Sequence, residues 1–328
     1  MAISKPAAAK IEKGTALLAV LWLTAALSAI AFTVANTVRS ETERTATEID
    51  GVRTYYLATA AIDRTLLYIQ WGPGFRNPDG TPKYFENGMP VLRYQFPSGV
   101  AIAEVIPETA KLNVNTSPPA ELMSLMLALG IDSGRAETIV RGILDWRSPS
   151  AGGSYTQFDQ QYLSLTPSFR ARHASLQEIE ELLLIQGVTP DLFYGSYSTD
   201  QEGHFAPHAG LRDCLSVYGT IGPVDVNSAE PAVMQAVGLS AGAAAGIVAQ
   251  RRDHPIKPQQ LGEIGGNGRL SIVPNSIATL RATARLRLPD GKFSDLRRSV
   301  SAMVKFLPPE WNPPFHIMRW YDNAYSVQ

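Results

Sequence analysis

TALLAVLWLTAALSAIAFTVANTV, residues 15–38, is an apolar run without an ionisable side chain. At about 1.5 Å of rise per residue, a helix over these residues extends about 36 Å. Because this length exceeds the roughly 30 Å hydrocarbon core of a bilayer, the run predicts a transmembrane segment. Lys5, Lys10 and Lys13 precede it. Positive charge stays on the cytoplasmic side of a spanning helix, so we expect a single-pass inner-membrane anchor with the bulk of the chain outside the cytoplasm.

A cleaved secretory signal peptide is the alternative for the same residues. Ala29, Ala31 and Ala35 are small residues of the kind found at its cleavage site. A signal peptide has a shorter apolar region, however, and here the basic segment ends at Gly14, directly before the apolar run. The position of Gly14 therefore favours the membrane anchor.

The remainder of the chain predicts an α+β fold. Apolar residues at near-helical spacing continue the N-terminal helix through residues 39–72, and Gly72-Pro73-Gly74 ends it. Short β-prone runs from Tyr94 to Val114 are separated by turns. We expect a small antiparallel sheet, with its first part in residues 73–112 and its C-terminal strands in residues 271–328.

Between the two parts of the sheet the sequence becomes helical. The apolar-periodic stretches ELMSLMLALG, RAETIVRGILDWR and SLQEIEELLLIQG predict helices within residues 113–215. LNVNTSPPAELM (112–123) recurs as VDVNSAEPAVM (224–234), and LGIDSGRAETIV (129–140) recurs as VGLSAGAAAGIV (237–248). Each copy predicts a strand end, a helix, a glycine turn and a helix, with the second copy in residues 216–270. We therefore expect a large α-helical domain of the helix-hairpin-helix, SAM-like type, inserted into the sheet domain.

Helix-hairpin-helix units also bind DNA in other proteins, so a membrane-anchored DNA-binding protein of the competence type is the main alternative. The turn in such units is Gly-apolar-Gly, because its backbone amides approach a phosphate closely. Here the turns are Gly130-Ile131-Asp132 and Gly238-Leu239-Ser240, without the second glycine. The balance of 29 basic and 30 acidic residues also carries no electrostatic signature of nucleic-acid binding. We expect the units to be packing modules, with no nucleic acid as a partner.

The junction KIEKG-TALLAVLWLTAALSAI, residues 10–30, resembles the processing site of type IV pilin-like proteins. The resemblance implies cleavage by prepilin peptidase between Gly14 and Thr15, followed by N-methylation of Thr15. Most such proteins carry a glutamate at the fifth residue after the cut, whereas this chain has Ala19.

The absence of that glutamate has a physical interpretation. A carboxylate inside the bilayer costs about 2.5 to 3.5 kcal/mol unless another group compensates it. The resemblance implies that the terminal amine of a neighbouring subunit is the compensating group in such filaments. A subunit with no neighbour ahead of it has no such partner. Our hypothesis is therefore that Ala19 marks a subunit at the tip of a filament.

Three separated blocks, ILDWR (143–147), SLQEIEELLLIQGVTPDLFYG (175–195) and the VDVNSAEPAVM repeat, resemble the K-type minor pseudopilins of bacterial type II secretion systems (general secretion pathway protein K). The resemblance runs from Lys13 to about Pro255, and Ala19 agrees with it because this family usually lacks the glutamate. It implies a pilin-like fold with a large helical insertion. It also implies a place at the tip of a periplasmic pseudopilus, whose assembly the protein would start.

The same resemblance implies the partners of this chain. They are two other minor pseudopilins, the pseudopilus, the inner-membrane assembly platform, prepilin peptidase and the membrane. Such a protein is a component of a machine, and we do not expect an enzyme.

Some members of this family bind calcium in the inserted domain, through carboxylates that follow the Asp-Trp-Arg motif. In this chain Asp145 belongs to the motif, and Asp159 is the one acid in the stretch SPSAGGSYTQFDQQYLS. Calcium usually takes six to eight oxygen ligands, several of them carboxylates. We therefore expect no certain cofactor and keep both residues as weak calcium candidates. In the alternative, Asp145 pairs with a neighbouring arginine and Asp159 is solvated.

His204 and His208 lie near Cys214, the single cysteine of the chain. Pro207 breaks the helix that would place the two histidines on one face. We therefore expect solvated loop histidines and a buried free thiol, and one cysteine excludes an intrachain disulfide.

Overall fold

The computed structural model describes residues 13–86, 88–199, 203, 205–219, 222–253, 255–264, 268–272, 276–308 and 310–324. The chain divides into two compact units, Met1–Arg53 and Thr54–Gln328.

In the described residues the helices are α1 (Lys13–Trp71), α2 (Pro119–Ala128), α3 (Ser133–Arg147), α4 (Gln157–Leu163), α5 (Pro190–Tyr194), α6 (Leu211–Cys214), α7 (Pro231–Ala236), α8 (Ala241–Asp253) and α9 (Leu261–Ile264). The strands are β1 (Val91–Phe96), β2 (Gly99–Pro107), β3 (Leu112–Asn113), β4 (Ser196–Thr199), β5 (Phe205–His208), β6 (Leu215–Ser216), β7 (Val224–Asp225), β8 (Leu270–Ser271), β9 (Ile277–Arg287), β10 (Phe293–Phe306) and β11 (Phe315–Tyr321). Single-turn 3-10 helices lie at Gly72–Gly74, Glu108–Ala110, Ala151–Gly153 and Pro258–Gln260, and a longer one at Ile179–Leu184.

The first unit contains the N-terminal part of α1. Its apolar side chains are exposed; those of Leu17, Trp22 and Phe32 are 73%, 72% and 73% accessible. Among the described residues, one helix is long and apolar enough to cross a membrane, and it is α1. The apolar run predicted to span a bilayer is therefore helical throughout, which fits a single-pass anchor.

The second unit contains a five-stranded antiparallel sheet in the order β1-β2-β9-β10-β11. Side chains alternate between buried and half-buried along β2 and β9, as expected for a sheet with one covered face. The covered face packs against the C-terminal part of α1, where Leu57, Ala61 and Ile62 are buried. At Gly99 an added Cβ would lie 2.8 Å from a methyl group of Leu57 and 2.2 Å from the Arg285 carbonyl oxygen, so close packing excludes a side chain there.

The residues between β2 and β9 form a second hydrophobic core, built mainly from α2, α3, α7 and α8. Each copy of the repeat folds as predicted into a short strand, a helix, a glycine turn and a second helix: β3-α2-α3 and β7-α7-α8. The helix predicted over SLQEIEELLLIQG is wrong, because only Ile179–Leu184 is helical and it is a 3-10 helix. The carboxylate of Glu181 accepts the backbone amides of Gln177 and Glu178 at 2.7 and 3.1 Å, which caps the short helix at its start.

Candidate functional site

The predicted processing residues Gly14 and Thr15, together with Ala19, lie in the first turns of α1. The hydroxyls of Thr24 and Thr33 donate to backbone carbonyls within the helix, at 2.9 and 2.8 Å. These two hydroxyls are thus satisfied within the helix, as a bilayer requires. Cleavage after Gly14, methylation of Thr15 and the role of Ala19 stay predictions.

The two glycine turns share one hydrogen-bond pattern. In the first, the amide of Gly130 donates to the Leu127 carbonyl at 3.0 Å, and the amide of Ile131 donates to the Met126 carbonyl at 3.1 Å. These are the two bonds of a Schellman motif, in which a glycine with positive φ ends a helix. Gly130 has φ 79° and Gly238 has φ 106°. The second turn repeats both bonds, from Gly238 to Gln235 at 3.0 Å and from Leu239 to Met234 at 3.1 Å.

An arginine of the second helix closes each unit. The guanidinium of Arg147 donates to the carbonyl oxygens of Val114 and Ser117 at 2.6 and 2.9 Å. These two residues lie between the short strand and the first helix, and both are buried. Arg251 makes the corresponding bonds in the second unit, to Val226 at 2.9 Å and Ala229 at 2.7 Å.

The asparagine two residues after the end of β3 and the one two residues after the end of β7 also make corresponding contacts. The side-chain amide of Asn115 exchanges two hydrogen bonds with the backbone of Leu176, at 2.9 and 2.7 Å. Asn227 exchanges two with the backbone of Ile256, at 3.1 and 2.8 Å. The final asparagine of LNVN and of VDVN is therefore a clamp on a distant segment, a role that the repeat alone did not reveal.

The turn amides that a DNA phosphate would approach are already used within the protein, in the Schellman bonds described above. At the start of α3, the carboxylate of Asp132 accepts the amide of Arg135 at 2.9 Å. At the start of α8, the hydroxyl of Ser240 accepts the amide of Ala243 at 3.2 Å. No observation on the described residues supports the DNA-binding alternative.

Asp159 is fully buried in a polar cluster after α3. Its carboxylate accepts the backbone amides of Thr156 and Ala171, both at 3.1 Å. It also contacts the imidazole of His173 at 2.8 Å and the guanidinium of Arg170 at 3.3 Å. Burial alone would raise the pKa of this carboxyl, but the hydrogen bonds from His173 and the two amides lower the pKa of Asp159 to about 2.

His173 joins Asp159 to the end of α3. Burial lowers the pKa of this imidazole, but the hydrogen bonds to the Asp159 carboxylate and the Asp145 carbonyl, together with the charges of the two carboxylates, outweigh burial and raise the pKa of His173. Its other ring nitrogen lies 3.1 Å from the backbone carbonyl of Asp145. The Asp145 carboxylate accepts the Thr156 hydroxyl at 3.2 Å, and burial raises the pKa of Asp145.

The structure thus brings the two weak calcium candidates into one cluster but reverses the alternative expected for them. Asp159 is buried rather than solvated, and it contacts Arg170. The arginine that neighbours Asp145 in the sequence, Arg147, donates instead to the carbonyls of Val114 and Ser117, and the Asp145 carboxylate accepts the Thr156 hydroxyl. The physical reason is that α4 begins at Gln157, so Asp159 occupies its first turn and caps the helix. Among the described residues, no group of three or more His, Cys, Asp or Glu side chains is placed to hold a metal ion.

Cys214 is fully buried with a free thiol, as expected. His208 is exposed, but the prediction that it lies in a loop is wrong, because it belongs to β5, where its ring contacts the Ser198 hydroxyl at 2.6 Å. His204 lies outside the described residues.

Comparison with known proteins gives two findings. Residues 105–194 match the family model described as type II secretion system (T2SS), protein K. The fold is similar to a chain of the crystal structure of the GspK-GspI-GspJ complex from the enterotoxigenic Escherichia coli type 2 secretion system, with a TM-score of 0.51 and 15% sequence identity over 86% of this chain and 100% of that chain. No curated protein matches the sequence. Residues 105–194 are thus similar to type II secretion system protein K, and the fold of the chain is similar to that of a chain in the GspK-GspI-GspJ complex.

Proposed function

We propose that this protein caps the tip of the periplasmic pseudopilus of a type II secretion system and initiates its assembly. One observation carries the proposal: residues Thr15 to Val38 form part of a helix and include no ionisable side chain. The same chain matches the protein K family model over residues 105–194. The resemblance to pilin-like proteins implies that shaft subunits carry a glutamate that a neighbouring amine compensates, whereas Ala19 needs no such neighbour. The role is mechanical, and no catalytic step is part of it.

The N-terminus follows from the same proposal. Prepilin peptidase cuts between Gly14 and Thr15, Thr15 is N-methylated, and residues 15–38 hold the chain in the inner membrane. The exposed apolar side chains of α1 suit a lipid environment. The residues after the anchor, with their sheet and helices, then lie in the periplasm.

The helical residues 113–270 form, in this proposal, a domain inserted between the strands of a pilin-like sheet. Their own hydrophobic core and their position between β2 and β9 support the insertion. The two repeat units hold this domain together through hydrogen bonds from arginine and asparagine side chains to backbone groups.

The partners are two other minor pseudopilins, because the similar solved fold comes from a complex with GspI and GspJ. The assembly platform and the pseudopilus itself would follow as later partners. The test is co-expression of the full chain with the I-type and J-type pseudopilins of its own system, followed by purification in detergent. A stable complex of the three supports the tip role, and recovery of this chain alone contradicts it.

A substitution at Ala19 tests the tip argument separately. Ala19→Glu introduces a carboxylate without a compensating amine, at a cost of about 2.5 to 3.5 kcal/mol in the bilayer. We expect reduced secretion in a complementation assay, whereas the apolar control Ala19→Leu keeps wild-type secretion. Wild-type secretion by Ala19→Glu would remove the support that Ala19 gives to the tip position.

A further inference from the structure

Oxygen atoms of the loop between α3 and α4, and of Asp159 in α4, contact one positively charged side chain, that of Arg170. The guanidinium of Arg170 donates to the carbonyl oxygens of Gly153 and Ser154 at 2.9 and 3.3 Å, and to the carboxylate of Asp159 at 3.3 Å. Loop carbonyls combined with a carboxylate are the ligand types that a calcium ion takes. In this chain an arginine holds them.

A second side-chain cation completes the arrangement. The ring of His173 contacts the Asp159 carboxylate at 2.8 Å and the carbonyl oxygen of Asp145 at 3.1 Å. The His173 ring, the Arg170 guanidinium and the amides of Thr156 and Ala171 give the buried carboxylate four N–H partners. Three of these contacts are to Oδ2 and the fourth, from the amide of Ala171, is to Oδ1, so the charge of the carboxylate is already met by N–H groups of the protein.

The rest of the loop does not fit calcium either. Residues 146–158 contain no acid, whereas calcium usually takes several carboxylates among its six to eight oxygen ligands. The Asp145 carboxylate is directed to the Thr156 hydroxyl at 3.2 Å. The site implied by the resemblance is therefore not present in the arrangement of these side chains.

We infer that Arg170 and His173 take the place of a divalent cation in this protein, so that the region after α3 is held by internal cations and does not depend on calcium. The two side chains connect the end of α3, the 151–154 turn, the start of α4 and the segment at residues 170–173. The indole ring of Trp146 lies against Tyr162 and Phe169 beside this network. Loss of either cation should therefore loosen a segment that carries part of the second core. This inference is independent of the proposed place at the tip.

The test is thermal unfolding of the full chain in detergent micelles, with either excess EGTA or calcium at about 5 mM, above the weakest dissociation constants of protein calcium sites. Wild-type protein is expected to unfold at the same temperature in both. Arg170→Gln is expected to lower the unfolding temperature by roughly 5 °C, since a fall of 2 to 4 °C accompanies each kcal/mol in a domain of this size. The control Arg141→Gln removes an exposed arginine of α3 that pairs with Glu137 at 3.8 Å, and it should leave the unfolding temperature unchanged.

Two outcomes would overturn the inference. One is a rise in the unfolding temperature of the wild-type protein with calcium, accompanied by a saturable binding isotherm. The other is an Arg170→Gln protein as stable as wild type. If Arg170→Gln does not fold, the calcium titration of wild-type protein still decides, and Arg170→Lys, which keeps the charge but loses the fork, replaces the variant with an expected smaller decrease.

Discussion

The two repeat units, residues 112–147 and 224–253, differ in nearly every exposed side chain but share their backbone contacts. Each ends its first helix in the same two-bond glycine turn. Each uses one arginine to bind two buried carbonyls and one asparagine to clamp a distant backbone segment. The two copies therefore share the contacts that give buried polar groups their hydrogen-bond partners. A unit that serves in packing needs these contacts, because a buried polar group without a partner is destabilising.

The units differ in what surrounds them. The first has helices of 10 and 15 residues and leads into the Asp159 cluster, whereas the second has helices of 6 and 13 residues and an alanine-rich second helix. Asn227 is 1% exposed, but Asn115 is only half-buried. Asn113 of the first unit is replaced by Asp225 in the second, where the carboxyl is buried. Because the surroundings differ, the same substitution can be made in both units and its effects on stability compared.

The largest effect is expected at the arginines. Arg147→Met or Arg251→Met leaves two buried carbonyls without their donor, and each loss costs about 1 to 3 kcal/mol. We expect either variant to lower the free energy of unfolding by about 3 kcal/mol in urea denaturation. Arg252→Met changes the exposed neighbour of Arg251 and should lie within about 0.5 kcal/mol of wild type. Similar effects at Arg251 and Arg252 would contradict the clamp.

The next largest loss of stability is expected at the two asparagines, and its size should differ between the two units. Asn227→Ala leaves the buried Ile256 backbone without both hydrogen bonds, so we expect a loss of about 2 kcal/mol. Asn115→Ala should cost about 1 kcal/mol, because water can reach this half-buried position. Hydrogen exchange at the amides of Leu176 and Ile256 reports each clamp directly. An Asn115→Ala loss as large as that of Asn227→Ala would reject burial as the cause of the difference.

Much of this comparison could be predicted from the sequence, because its signals are local. The apolar run of α1, each copy of the repeat and each turn glycine lie within a short segment. The clamps could not be predicted, since Asn115 and Leu176 are 61 residues apart. The environment of Asp159 depends in the same way on Arg170 and His173, which follow it by 11 and 14 residues across an irregular loop. The burial of Asp159 is decided by tertiary packing and not by the polar residues beside it in the sequence.

Lowering the pH should change the contributions of Asp159 and Asp225 to the free energy of unfolding in opposite directions. The pKa of Asp159 is lowered to about 2, so its stabilising contribution is present above the ordinary value of 3.8 and is lost as the pH falls toward 2. Burial raises the pKa of Asp225, so this carboxyl destabilises the protein as the pH rises above 3.8.

Asp225→Asn, which copies Asn113 of the first unit, is therefore expected to raise the free energy of unfolding at pH 7. Asp159→Asn should lower it at pH 7 by about 2 kcal/mol and flatten its decrease between pH 4 and pH 2. Urea denaturation at a series of pH values measures both. An unchanged acid slope in Asp159→Asn would contradict the assigned environment.

The smallest effects concern glycine. Gly130→Ala places a side chain at φ 79° in open space, so the cost is conformational and amounts to about 1 kcal/mol. Gly246→Ala, in the interior of α8 with nothing within 4 Å of the added Cβ, should stabilise by about 0.5 to 1 kcal/mol. Thermal unfolding distinguishes the two signs. Stabilisation by Gly130→Ala would show that the turn does not need a left-handed residue.

The assignment to pseudopilins depends most directly on the mature amino terminus. The measurement is the mass of the N-terminal peptide of the full chain isolated from membranes that contain prepilin peptidase. The account predicts a chain that begins at Thr15 and carries an N-methyl group. An uncut chain beginning at Met1, or a chain cut near Ala31 to Ala35, would contradict it and leave a plain membrane anchor or a secreted protein.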